Sequence, residues 1–371
     1  MKGDLLTPIW TAAVPPALSP HEWERLLAQA RRARLDGRLA RWWSDHGGLA
    51  QVPEGPRAHL ESALRRVRRL HDQTRWEADC VRRALQHLPT PIVFLKGAAY
   101  VLAGLPPARG RLFEDVDVLV AREQLRAVEM ALFAAGWIAR RLDPYDERYY
   151  RDLSHELPPL QHVERGTALD VHHAITPPTS RFAVAAAPLL ALARPLPDAP
   201  RLAVLAPTDM VLHSAAHLMQ DGEFGGGQRD VFDCADLIAH FALDPSFWPA
   251  LVARARELHL GVALHDVVTQ ARRIGGLQVP AEAGEALRAL APHSLRNRIM
   301  QRLLGVALRP DHPDCDSTWS GSVRWLLYVR SHWLRMPWYQ IVPHLARKAW
   351  MRVRAKRVSK PDERPMFGRH G

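Results

Sequence analysis

Residues 92–100 read Ile92-Val93-Phe94-Leu95-Lys96-Gly97-Ala98-Ala99-Tyr100, and residues 111–120 read Arg111-Leu112-Phe113-Glu114-Asp115-Val116-Asp117-Val118-Leu119-Val120. The first stretch predicts a buried strand over 91–95 and a short helix from Gly97; the second predicts a strand over 115–120. Successive strand residues point to opposite faces, so Asp115 and Asp117 project together with Cα atoms roughly 6.5–7 Å apart. Val116, Val118, Leu119 and Val120 make that strand apolar enough to be buried, and a buried, unpaired carboxylate is costly. Something cationic is therefore expected beside the two acids. Carboxylate oxygens are the donors magnesium prefers, and two such ions can bracket the attacking and leaving oxygens of an in-line displacement at phosphorus. The plainer alternative is a turn with two solvated acids, against which stand the apolar strand, Lys96-Gly97 and Arg111.

A third acid lies downstream in Ala168-Leu169-Asp170-Val171-His172-His173. A strand over 167–173 puts Asp170 and His172 on one face. If it lies beside the Asp115/Asp117 strand, Asp170 becomes the third metal ligand and the general base for an acceptor hydroxyl; otherwise it is a strand-edge acid paired with an arginine. His172 reads as a hydrogen-bonded histidine, since magnesium favours oxygen over nitrogen. Lys96 and the backbone amides of Gly97 and Ala98 are candidate triphosphate contacts: a helix start presents unpaired N–H groups, and glycine admits close approach. Arg109 and Arg111 are candidates for neutralising phosphate charge, with Arg111 preferred.

Lys96-Gly97-Ala98-Ala99, the Arg111…Asp115-x-Asp117-x-Leu119-Val120 run and the helix ending Ala135-Gly136-Trp137 resemble the bacterial family described as uncharacterised nucleotidyltransferases, within the DNA polymerase beta superfamily. The resemblance extends through Ala168 to His173 and more loosely from His213 to Asp236, covering roughly residues 88–240. It implies an α+β fold with a small mixed sheet of polymerase-beta-like nucleotidyltransferase type. It also implies two magnesium ions on Asp115, Asp117 and Asp170, with a nucleoside triphosphate at the Gly97 turn. Ala98 stands where the wider superfamily usually has a serine, which removes a hydroxyl contact to phosphate. The implied activity is transfer of a nucleoside monophosphate from a triphosphate to a hydroxyl of a small molecule, peptide, protein or RNA. The competing expectation is a catalytically inactive fold that binds nucleotide or a partner protein.

Outside this region, Ser19-Pro20-His21-Glu22 is a capping box with proline at the first helical position, predicting a helix to about Trp43. A second helix is predicted over 56–87, and Pro89 and Pro91 mark the boundary to the sheet. Further elements are expected as a helix over 122–135 stopped by Gly136, a strand over 137–142, turn or edge segments at 143–151 and 157–159, and helices over 181–193, 208–220, 229–242, 246–258, 260–274, 282–291 and 295–306. The resulting division is an N-terminal helical segment (1–88), the α/β core (89–206), a helical domain (207–335) and a basic C-terminal tail (336–371). His213 and His217, four apart on a predicted helix and followed by Asp230, Asp233 and Asp236, lack the H-E-x-x-H context of a zinc helix. They read as residues packing on the sheet or lining a base or acceptor pocket. The three glycines 225–227 read as a connection.

The 47% hydrophobic and 24% charged content is that of a globular chain rather than a disordered one. No apolar stretch reaches bilayer length, and Met1–Pro16 has no signal-peptide pattern. Cys80, Cys234 and Cys315 are far apart and form no CxxC pair, which fits a reducing cytoplasm. The formal charge of +11 is concentrated at one end: from residue 347 to 371, nine Lys or Arg face only Asp362 and Glu363. The tail is thus a candidate contact for RNA or an anionic membrane. Before it, Trp325, Trp333, Trp338 and Trp350 alternate with Arg324, Arg330, Arg335, Arg347 and Arg352. The plainer reading packs these tryptophans inward and turns the arginines to water; the other lays them on a membrane or nucleic acid.

Overall fold

The structure is a computed structural model that describes residues 3–89, 91–139, 154–222, 224–291, 295–335 and 339. It begins with helices α1 (Leu6–Ile9), α2 (Pro20–Arg32), α3 (Asp36–Asp45) and the long α4 (Glu54–Ala84). The α/β region follows as β1 (Ile92–Phe94), α5 (Lys96–Leu102), β2 (Asp115–Leu119), α6 (Leu125–Ala134), β3 (Trp137–Ala139), β4 (Leu160–His162) and β5 (Ala168–His172). After a short α7 (Ala187–Leu190) come β6 (Arg194–Leu196) and β7 (Ala199–Val204). The remainder is helical: α8 (Pro207–Asp221), α9 (Gly227–Phe241), α10 (Phe247–Glu257), α11 (Gly261–Gly275), α12 (Ala281–Arg288), α13 (Leu295–Ala307) and α14 (Ser320–Arg335). This is the expected α+β class, with one mixed sheet in the order β3-β4-β5-β2-β1-β7-β6.

The central strands β1 and β2 are buried along nearly their whole length because helices cover the sheet. β2 runs antiparallel to β1 and parallel to β5; β1 runs parallel to β7. Buried apolar residues form one continuous cluster reaching from Leu6 to Leu327. The capping box is present: the Glu22 amide donates to Ser19 Oγ, and the Ser19 amide donates to Glu22.

Two expected helices are corrected. The helix predicted from Ser19 to Trp43 is two helices, because Arg34 takes a left-handed backbone (φ 57°) that ends α2. The turn lets α3 press against the loop before Arg111: a Cβ on Gly37 would sit 2.6 Å from the Gly110 carbonyl oxygen. The helix predicted over 181–193 shrinks to α7, and the unassigned stretch after it forms the β6–β7 hairpin. Pro195 is tolerated because β6 is the sheet edge, where a missing N–H breaks no ladder. The segment 157–159 is irregular, as read, and leads into β4, which pairs with both β3 and β5.

On α14 the inward-tryptophan reading is reversed. Trp325 and Trp333 are exposed, while Arg330 and Arg335 donate to the carbonyls of Met219 and Gln220, and Arg324 pairs with Asp311 and Asp316. Arg330 and Arg335 finish the C-terminal end of α8, where carbonyl groups lack helical partners. No helix among the described residues is long and apolar enough to cross a membrane. The end of the strand predicted over 137–142, the segment 143–151, Trp338, Trp350 and the basic tail apart from Tyr339 lie outside the described residues.

Candidate active site

β2 and β5 bring the three acids together. They are neighbours in register, with Asp117 opposite Asp170 and Leu119 opposite His172. Opposed residues on adjacent parallel strands share a face, and the strands lie about 4.8 Å apart. Asp115, Asp117 and Asp170 accordingly place one carboxylate oxygen each within 4.8 Å of the others. The expected cation is Lys96, whose Nζ lies 3.2 Å from Asp117 Oδ1. Its placement is local: Lys96 takes φ 44° just after β1, at the start of α5, while the Leu95 amide donates to the Asp117 carbonyl. His172 Nε2 lies 2.8 Å from the same Oδ1. An ionised carboxylate can only accept, so that nitrogen carries the hydrogen.

These contacts set the protonation of the group. Burial works against a charge on Asp117, but Lys96 and His172 outweigh it and hold its carboxyl well below the usual range. Lys96 is pulled down by burial and raised further by Asp117, Glu156 and Asp115, so it stays an ammonium. Asp115 is pushed up by burial and by Asp117. Asp170 is pushed up to about 7 by burial and then by the charges of Asp117 and Glu156. Three carboxylates around one ammonium leave an excess of negative charge in a largely desolvated place. Hard oxygen donors so arranged fit a divalent cation such as magnesium.

The other predicted contacts are placed differently from one another. A Cβ on Gly97 would meet the Phe113 ring at 2.6 Å, so ring packing against the helix start accounts for this glycine. The Ala98 methyl is buried. Arg111 is also buried and is directed into α9, where its Nη1 pairs with Asp233 and with Asp230 at 3.4 Å. Arg109 is exposed and lines a separate cleft of about 860 Å³ that none of the three acids borders. Asp236, the third acid of α9, takes a bidentate contact from Arg38 of α3 at 2.5 and 2.8 Å. Among the described residues His213 and His217 join no metal cluster, but they lie within electrostatic reach of Lys96. Burial and then Lys96 lower His213 to about 3, and Lys96 followed by burial lowers His217 well below its ordinary value.

Two residues were missed from the sequence. His155 and Glu156 precede β4, and Glu156 bridges to His172; with His172 they form a second cluster beside the first. No periodicity or motif marks Ser154-His155-Glu156-Leu157, and only the antiparallel return of the chain along β5 brings it here.

A family model described as an uncharacterised nucleotidyltransferase matches residues 19–276, which include both clusters and every strand of the sheet. The chain belongs to this nucleotidyltransferase family. No curated protein and no solved structure matches it. The family assignment suggests a transferase activity. One fold hosts many reactions, so the site's own chemistry must carry anything narrower.

Proposed function

We propose that this protein is a metal-dependent nucleotidyltransferase that moves a nucleoside monophosphate from a nucleoside triphosphate to a hydroxyl of an acceptor. The observation that carries the reading is the convergence of Asp115, Asp117 and Asp170 from two parallel strands, in a chain of this family. Asp115, Asp117 and Asp170 would hold magnesium, as two ions by the family resemblance; when bound it supplies charge neutralisation for the triphosphate and for the departing pyrophosphate. Asp170 takes the acceptor's proton. Lys96 and His172 keep Asp117 ionised and oriented, which makes them positioning residues. The Gly97 and Ala98 amides at the start of α5 are assigned to the triphosphate, with Lys96 as the nearby positive charge; Arg111, held by Asp230 and Asp233, contributes only its field.

A second reading is favoured by the way the cations are used. Lys96 is paired with Asp117, Arg111 with Asp230 and Asp233, and the residue in the serine position is a buried alanine. A nucleotide-binding or partner-binding protein without turnover needs fewer free charges on the triphosphate.

Thermal-shift titration with each of the four nucleoside triphosphates, with and without magnesium, tests the first reading. A ligand at about 100 times its dissociation constant adds about 2.7 kcal/mol, which is readily seen. A magnesium-dependent shift is expected for at least one nucleotide and should be absent in the Asp115→Asn, Asp117→Asn double variant. No shift with any nucleotide would overturn the proposal. A shift with no pyrophosphate formed in the presence of total cellular RNA, peptide and small-molecule fractions would move the assignment to the second reading.

A further inference from the structure

His155, Glu156 and His172 form a second cluster next to the three aspartates, and one ligand atom from each falls within 4.8 Å of the other two. His172 is shared between the two clusters by its two ring nitrogens. Nε2 is engaged with Asp117 at 2.8 Å. Nδ1 is buried, makes no hydrogen bond among the described residues, and faces Glu156 Oε2 at 3.4 Å. His155 Nδ1 is also buried without a hydrogen-bond partner among the described residues, and its ring lies with its centroid 5.3 Å from that of His172. Two buried imidazole nitrogens with no partner are uncommon, since such groups are nearly always paired.

The spacing has a chemical meaning. In a tetrahedral zinc shell with bonds of about 2.05 Å, neighbouring ligand atoms lie about 3.4 Å apart. That is the separation of His172 Nδ1 and Glu156 Oε2. A ligating histidine characteristically gives its other ring N–H to a carboxylate, which fixes the tautomer and aims the free nitrogen at the metal. Asp117 stands in that relation to His172. The donor set of two imidazoles and one carboxylate differs from the all-oxygen set of the aspartates: the former suits zinc and its neighbours, the latter magnesium.

We propose that His155 and His172, each through Nδ1, and Glu156 through its carboxylate bind one divalent transition metal of the zinc class, with a further position left for water. The ion would hold His172 in the orientation that braces Asp117, so its occupancy is coupled to the order of the neighbouring acid cluster. The plain alternative is a protonated His172 bridging Asp117 and Glu156 with nothing between them.

The test uses the full chain stripped with chelator and then titrated with Zn²⁺ against a chromophoric competitor, and separately with Co²⁺ read by visible absorption. Wild type should take up one zinc equivalent and give cobalt ligand-field bands of a nitrogen-containing site. His155→Gln and Glu156→Gln should each weaken zinc by more than about 100-fold, beyond the loss of an outer partner. Circular dichroism of each variant reports whether it is folded. The Asp115→Asn, Asp170→Asn variant should keep the zinc equivalent, which separates this site from the aspartate site. Wild type without stoichiometric zinc, or folded His155→Gln and Glu156→Gln proteins that bind zinc as wild type does, would overturn the proposal in favour of the protonated bridge.

Discussion

Replacing Asp170 by asparagine should make the metal-free protein more stable. Asp170 shares its strand face with Asp115 and Asp117, and the three carboxylates approach within 4.8 Å. At that distance, with an effective dielectric constant of about 20, one pair of like charges repels by about 3 kcal/mol. The asparagine keeps the shape and removes the charge. For a chain of 371 residues, an unfolding entropy of about 2.1 cal/mol/K per residue converts that gain to a rise in melting temperature of about 4 °C. The effect must depend on pH. In the folded protein the Asp170 carboxyl is raised to about 7 from an ordinary 3.8, so between those values the folded state binds more protons than the unfolded state. Wild-type stability contributed by this group is therefore fully present below pH 3.8 and is lost as pH rises through about 7. The advantage of Asp170→Asn should be small near pH 4 and largest at pH 8. Melting curves in chelator across that range measure it, and added Mn²⁺ should raise the wild type while leaving the variant nearly unmoved. A variant no more stable than wild type at pH 8, or one that responds equally to Mn²⁺, would refute the convergence of the three charges.

Two predictions concern the frame that holds the site. Arg254 grips the fully buried Asp209 at 2.7 and 3.0 Å, so Arg254→Met strands a carboxylate at the start of α8 and should cost about 3–5 kcal/mol in urea unfolding. The double variant with Asp209→Leu should recover most of that loss, and a single-variant cost below about 1 kcal/mol would contradict the burial of the pair. Gly37→Ala places a methyl 2.6 Å from the Gly110 carbonyl oxygen, and because the neighbour is backbone the strain should cost about 1–3 kcal/mol. Wild-type unfolding free energy in this variant would show that α3 does not press on the loop leading to Arg111.

Much of the fold was legible locally. Ser19 and Glu22 announce a helix start because the capping box needs only residues three apart, and the Asp115-Val116-Asp117-Val118 alternation reports a strand face because the period of two is a property of the extended chain. The acid trio was legible in kind, since buried carboxylates require a shared cation whatever surrounds them. Its assembly was not, because the register of Asp117 on Asp170 is a contact across 53 positions of sequence. The β6–β7 hairpin was hidden by prolines and alanines whose local preferences give no strand pattern; pairing of β7 with β1 overrides them.

The sequence by itself determined which residues carry charge in apolar surroundings: Asp115, Asp117 and Asp170 on strands, and Lys96 at a turn. Composition and periodicity suffice for this, since they act over a few bonds. Only the tertiary structure decided which charges neutralise which. It gave Lys96 to Asp117, turned Arg111 away into Asp230 and Asp233, and brought His155 and Glu156 against His172. Electrostatic pairing falls off with distance through space, not along the chain, so the partners of a buried charge follow from packing and strand order.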